Sequence, residues 1–263
     1  MSAPPKPSGT KPAPTPKPKP PLGEEPAHAL LWDVIRSRPK PLVSVAFTVP
    51  VFLVYHLGIL GVDRRHEVDF ISNLVLRLLN ASTPLYVLVT LALALMLLVL
   101  TWVQQKRGGK AELHPFRRTL AESLGAALLL LMSIGWATHE VRTGEALNLP
   151  ALSLPTKIVL AAGAGFHEEL LFRALLITGA SWALTKLTKW KPWVSLLISA
   201  IISSLLFSLA HYFVLADEEF VMSVAGFRVI EGLLFATLYI TRGFAVAVYA
   251  HALYDLMAFY LYS

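Results

Sequence analysis

Chemistry-bearing side chains gather in the C-terminal half of this 263-residue chain. Three short stretches stand out: Phe166-His167-Glu168-Glu169-Leu170-Leu171-Phe172-Arg173, Phe207-Ser208-Leu209-Ala210-His211 and His251-Ala252-Leu253-Tyr254-Asp255. Each lies within an apolar run, where an ionisable residue is costly and is therefore a functional candidate by default. Residues four apart on a helix share a face, so Glu169 pairs with Arg173 and His251 sits beside Asp255. Glu168 is rotated by about 100° from Glu169, which leaves it to face a polar cavity. Three helices that each present a polar face are most economically arranged around one water-filled pocket. Such a pocket supports activation of water. Burial makes a carboxylate a better base near neutral pH, and histidines stabilise an oxyanion or protonate a leaving amine. Two histidines and a carboxylate could instead hold a zinc ion that polarises the water. Both routes hydrolyse an amide, so the reaction class is better defined than the mechanism.

The elements that must position these groups are membrane helices. The chain is 55% apolar and 15% charged, with a mean hydropathy of +0.59. A soluble domain carries about 25% charged residues, so lipid is the main solvent here. The net charge of +6 does not point to nucleic acid, because four lysines lie in a proline-rich tail and most other cations lie between apolar runs. With no cysteine, disulfide frameworks, thiolate metal sites and a cysteine nucleophile are all excluded. Residues 1–40 read as a disordered, basic, Pro-rich tail and juxtamembrane segment, with no secretory signal. Residues 41–263 read as an all-α transmembrane helical bundle. About seven spans of roughly 20 residues are expected: 42–62, 84–103, 119–138, 157–178, 193–214, 225–241 and 243–262. Residues 67–81 carry mixed charge and read as an interfacial amphipathic helix. Trp102, Trp136, Trp190 and Trp193 fall at span ends, as an aromatic belt requires. Lys and Arg outside the spans divide sixteen to four in favour of the N-terminal side. The N-terminus is therefore expected in the cytoplasm.

At this point the residues resemble a known family. Glu168-Glu169-x-x-x-Arg173, Phe207-x-x-x-His211 and His251-x-x-x-Asp255 resemble the three ordered motifs of the CPBP intramembrane proteases (CAAX protease and bacteriocin-processing, or Abi). The stretch from Glu231-Gly232 to Thr241-Arg242-Gly243 is similar to the lead-in to the third motif, and the likeness covers roughly residues 150–260. By that resemblance Glu168 would activate water, with His211 its partner at the reacting centre. His251 and Asp255 would line the site and help stabilise the oxyanion. Glu169 and Arg173 would be a supporting pair, and Phe207 a supporting ring. The family's third motif commonly ends in Asn. Asp255 is an acceptor-only carboxylate, which favours a ligand or proton-sharing role over an amide donor. Were a metal bound, His211, His251, Asp255 and Glu168 would be its ligands; the cofactor is thus either none or a divalent metal such as zinc. His167-Glu168 begins like a zincin HExxH, but residue 171 is leucine and that signature fails.

The resemblance implies an endopeptidase that cuts a membrane-tethered protein or peptide near its C-terminus, as CAAX proteases and the myxosortase branch do. Its partners would be that substrate and the lipid bilayer, with no nucleic acid. The basic, Ala/Leu-rich composition without a targeting sequence fits a bacterial inner membrane. The competing readings are a proton-coupled transporter, which also uses buried Glu, His and Arg, and a non-catalytic immunity or scaffold protein. Arg228 and Glu231, three apart, read as neutralising each other. His56, His66, His114 and His139 carry no signal, and His167 is given no role.

Overall fold

Proline, serine and glycine punctuate a chain whose described elements are all helices. The computed structural model describes residues 39–62, 69–108, 114–141, 152–214 and 221–261. Nearly all of the expected N-terminal tail lies outside them. Helices α1 (Pro41–Phe47) and α2 (Val49–Gly58) form one apolar rod bent by 42°. Pro50 has no N–H for the carbonyl of Ala46, so the rod breaks at Thr48, whose hydroxyl caps the Val45 carbonyl at 2.7 Å. The short α3 (Phe70–Leu78) begins at Asp69, whose side chain accepts from the Ser72 amide at 2.8 Å. Its Leu74 and Leu78 are exposed while Val75 and Leu76 pack inward, which is the one-sided pattern expected of the interfacial segment. Helices α4 (Thr83–Gly108) and α5 (His114–Val141) follow.

The longest rod is Leu154–Thr188. It starts at Ser153 with proline in the first turn and runs as α6 (Leu154–Glu168), a π-helical stretch (Glu169–Ile177) and α7 (Thr178–Thr188). The expected span 157–178 is thus only the middle of one continuous element. Helices α8 (Pro192–Val214), α9 (Met222–Arg242) and α10 (Phe244–Leu261) complete the bundle. Gly243, at φ +98°, makes the tight joint between α9 and α10. No other residue type reaches that conformation without strain.

Among the described residues four helices are long and apolar enough to cross a membrane, or five if the bent α1–α2 pair is one span. That is fewer than the expected seven or so. The remaining expected spans, 119–138 and 243–262, fall in α5 and in α10, an apolar helix of 18 residues. The surface is apolar outside as well as inside: Leu88, Leu95, Leu129 and Met132 are each more than 60% exposed. A patch of that extent is unsuited to water. The chain is an all-helical integral membrane protein.

Two helices cover α6. Its back carries α2, with Phe52 against Phe166 at 5.3 Å between ring centroids. Its front carries α10, which also packs on α5 and α9. Along α8, Ser195, Ser199, Ser203, Ser204 and Ser208 are buried. Such small side chains let helices approach closely where lipid supplies no hydrophobic drive.

Candidate active site

The three motif helices do converge. Gly165 stands where α6 crosses α10: a Cβ there would lie 2.6 Å from the Val248 carbonyl oxygen. Only a glycine permits that approach, and the approach brings the two glutamates one turn on against His251. His251 Nδ1 donates to Glu169 Oε1 at 2.8 Å. Its other ring nitrogen, Nε2, lies 3.7 Å from Glu168 Oε2 and 3.7 Å from Asp255 Oδ2. Glu168, Glu169 and His251 are all buried. Glu169 Oε1 also holds Arg173 Nη1 at 3.1 Å. Both carboxylates reach the same imidazole, Glu168 at Nε2 and Glu169 at Nδ1.

The π-helical turn explains how. Opening each hydrogen bond to the fifth residue widens the helix and frees carbonyls that must find other donors. The Phe172 carbonyl receives the Ser203 hydroxyl at 2.6 Å from α8. Arg173, fully buried, is held by more than its glutamate. Its Nη2 donates to the Gly232 carbonyl at 3.4 Å, and its guanidinium carbon lies 4.4 Å from the Phe207 ring centroid. Gly232 is another close crossing, since a Cβ there would meet Ser204 at 2.9 Å. A cation packed between a carboxylate, a carbonyl and a ring face suits a planar guanidinium and no other side chain.

Phe207, expected as a supporting ring, lies against this cation. Its ring also meets Phe172 at 5.4 Å, His211 at 4.9 Å and His251 at 6.1 Å. His211 Nδ1 donates to the Phe207 carbonyl at 2.9 Å, which leaves Nε2 for chemistry. His211 lies within electrostatic reach of Glu168, His251 and Arg228. Every residue singled out in the three motifs thus comes to one place.

Several residues that the motif reading passed over belong to it too. Phe235 stacks flat on His251, with centroids 4.3 Å apart and planes 14° from parallel. Glu231 bonds Tyr254 and feels Asp255 and His251 as well as Arg228. Its part is therefore wider than mutual neutralisation with Arg228. Gly165 and Gly232 had a visible signal, being glycines inside helical runs. Phe235 and Ser203 had none, because an apolar helix is full of such residues.

The fit to a metal can be tested on the donors. Among the described residues no group of three or more His, Asp or Glu side chains is arranged to hold an ion. His251 Nδ1 is committed to Glu169, and His211 Nδ1 to a backbone carbonyl. The set Glu168, His211, His251 and Asp255 does not form a ligand cage as it stands.

The geometry is a buried carboxylate facing an oriented imidazole across three helices, and the chain's wider likeness agrees. Residues 150–257 match the model of the Type II CAAX prenyl endopeptidase Rce1-like family. The match covers all three motifs and less than half of the chain. No curated protein and no solved structure matches the chain. Proteases of this family act on membrane-anchored protein substrates, so the match supports intramembrane endopeptidase activity in general.

Proposed function

We propose that the protein is an intramembrane endopeptidase that hydrolyses a peptide bond near the C-terminus of a membrane-tethered protein, with Glu168 activating water. The observation that carries this reading is the buried pairing of Glu168 with His251 Nε2 at 3.7 Å, while Glu169 holds the same ring at Nδ1. A histidine clamped through one nitrogen presents the other in a fixed direction. A 3.7 Å gap is too long for a direct hydrogen bond and is one that a water molecule can bridge.

The steps follow from the groups present. Glu168 takes a proton from water as the oxygen attacks the scissile carbonyl carbon. The carbonyl oxygen becomes an oxyanion, stabilised from the side of His211 and His251. The proton then passes to the leaving nitrogen, the C–N bond breaks, and Glu168 returns to its carboxylate form. Asp255 shares protons with His251 Nε2. Glu169, Arg173 and Phe207 hold the imidazole and the widened turn, and take no part in bond making.

The substrate is a CAAX-like tail or a C-terminal sorting signal of the myxosortase type. The chain resides in a bacterial inner membrane with its N-terminus in the cytoplasm and its reacting centre open to the opposite side. His211 supports this opening, since it stands three residues from the end of α8. A single cysteine at Tyr212 tests it in a chain that has no other thiol. Labelling from the non-cytoplasmic side is expected, and reaction only from the cytoplasm would exclude that orientation. Proteolysis itself is tested by comparing membrane proteomes of cells with native protein and with Glu168→Ala. A set of shortened C-termini lost in the variant supports hydrolysis. Identical termini, with the variant folded and abundant, would favour a transport or scaffold role instead.

A further inference from the structure

The most extensive buried polar cluster outside the reacting centre lies on the opposite face of α6, and most of it falls outside the matched segment. Asp69, completely buried at the start of α3, is its hub. Asp69 Oδ2 accepts the Tyr55 hydroxyl at 2.7 Å, and Oδ1 accepts the Ser72 amide at 2.8 Å. Oδ1 also lies 3.2 Å from His167 Nε2. His167 is itself fully buried and donates from Nδ1 to the Gly163 carbonyl at 3.0 Å. Beside them His56 Nδ1 meets the Tyr86 and Ser72 hydroxyls at 2.7 Å and 3.0 Å. The rings of Tyr55 and His56 lie 4.7 Å and 5.3 Å from that of His167.

We propose that Asp69 is a positioning residue for the reaction, acting through His167 to fix the rotation of the helix that carries Glu168 and Glu169. This rests on the hydrolytic reading above. His167 immediately precedes the two glutamates, so the chain that holds its ring also sets their bearing. A carboxylate lies about 5–6 Å from a helix axis, and a rotation of roughly 20° would carry it about 2 Å. Glu168 and Glu169 must meet two nitrogens of one imidazole, and a shift of that size removes both contacts. On the front, α10 sets how closely the helices approach at Gly165, but the π-helical turn begins at Glu169 and loosens the helix just there. On the back, α2 and a buried carboxylate grip the last regular turn. Simple packing does not call for a charged hub, since an apolar trio of similar size would seal the same space without the desolvation cost. The charge buys direction. His167 Nδ1 is spent on its own helix, so Nε2 is the nitrogen through which another segment can orient the ring.

The test compares Asp69→Asn, His167→Gln and the double variant with native protein in nanodiscs, using a reporter peptide with a prenylated C-terminal CAAX tail. Asparagine still caps α3. The expected result is a fall in kcat of about 10-fold to 100-fold with KM unchanged, as loss of an orienting partner gives. The double variant should fall no further than either single one. Tyr86→Phe, which alters the cluster without touching His167, should keep native kcat. A native kcat in Asp69→Asn, a change in KM alone, or additive losses would overturn the proposal. Should Asp69→Asn not accumulate, His167→Gln carries the same comparison alone. Amide hydrogen exchange supplies a readout that needs no substrate. Exchange in residues 163–173 should quicken in Asp69→Asn while α9 keeps its rate, and unchanged exchange there would overturn the proposal. Failure of native protein to cut the reporter would instead count against the reporter or the hydrolytic reading, leaving the exchange result to decide on Asp69.

Discussion

Replacing Gly165 by alanine tests whether the α6–α10 crossing sets the catalytic geometry. The new Cβ would lie 2.6 Å from the Val248 carbonyl oxygen and 2.8 Å from both the Ala252 Cβ and its backbone nitrogen. Ordinary contact begins at 3.4 Å, so the two helices must part by up to 0.8 Å. Two of the three opposing atoms are backbone, which cannot swing aside as the end of a long side chain does. Parted by that amount, the 2.8 Å bond from His251 to Glu169 passes the ~3.5 Å beyond which little hydrogen bonding remains. The cost to stability is about 1–3 kcal/mol from overpacking, with about 1.5–3 kcal/mol more if the bond to the charged group is lost outright. Displacement of reacting groups by about 1 Å lowers turnover by about 100-fold. The assay is cleavage of the prenylated reporter, with thermal unfolding of the same preparation. Gly179→Ala is the control, since nothing lies within 4 Å of its Cβ position, and it should be neutral or stabilising by up to about 1 kcal/mol. Native turnover and stability in Gly165→Ala would refute the reasoning, because the helices would then have room that the structure denies them.

Other outcomes follow from the same contacts. Arg173→Met should lower the amount of folded protein sharply, as removing one partner of a buried pair costs about 3–5 kcal/mol. Arg173→Lys should not restore it, because an ammonium cannot serve Glu169, the Gly232 carbonyl and the Phe207 face together; thermal unfolding of both variants reads this. Ser203→Ala strands the Phe172 carbonyl in the π-helical turn and should cost about 1–3 kcal/mol in an unfolding measurement. Phe235→Leu removes the ring stacked on His251, and turnover of the reporter should fall at nearly constant substrate affinity. Glu168→Gln should abolish cleavage while leaving the unfolding temperature close to native, since the amide keeps the size and shape of the carboxylate but cannot take a proton from water.

Much of the site was legible because cost is legible. A glutamate, an arginine or a histidine in an apolar run needs a partner, and the four-residue spacings of Glu169–Arg173 and His251–Asp255 named two of them. Helix existence was equally plain, since each of the seven apolar stretches overlaps a described helix. The number of crossings was not, because a break at Pro50 and a 35-residue rod change how helices map onto spans. Details that depend on two segments meeting stayed hidden. The widened turn at Glu169 has no residue signature. His56 and His167 looked inert in isolation, yet both join a buried cluster whose hub, Asp69, lies in a stretch read only as interfacial. That reading rested on the mixed charge of the stretch and missed the carboxylate buried within it.

The burial of Arg173 also bears on how the protein is made. An arginine at mid-helix costs about 2.5–3.5 kcal/mol on entering a bilayer, and the apolar residues of its own helix offset this only in part. When Leu154–Thr188 leaves the ribosome, Glu168 and Glu169 are the companions already synthesised. The Phe207 ring and the Gly232 carbonyl arrive later, on α8 and α9. The rod must therefore enter the membrane with its cation poorly housed and wait for two further helices to close around it. Until α10 docks, Glu168 and Glu169 lack His251. The order of synthesis thus acts as a safeguard, keeping an enzyme that cuts membrane proteins inert while it is itself still being threaded among them.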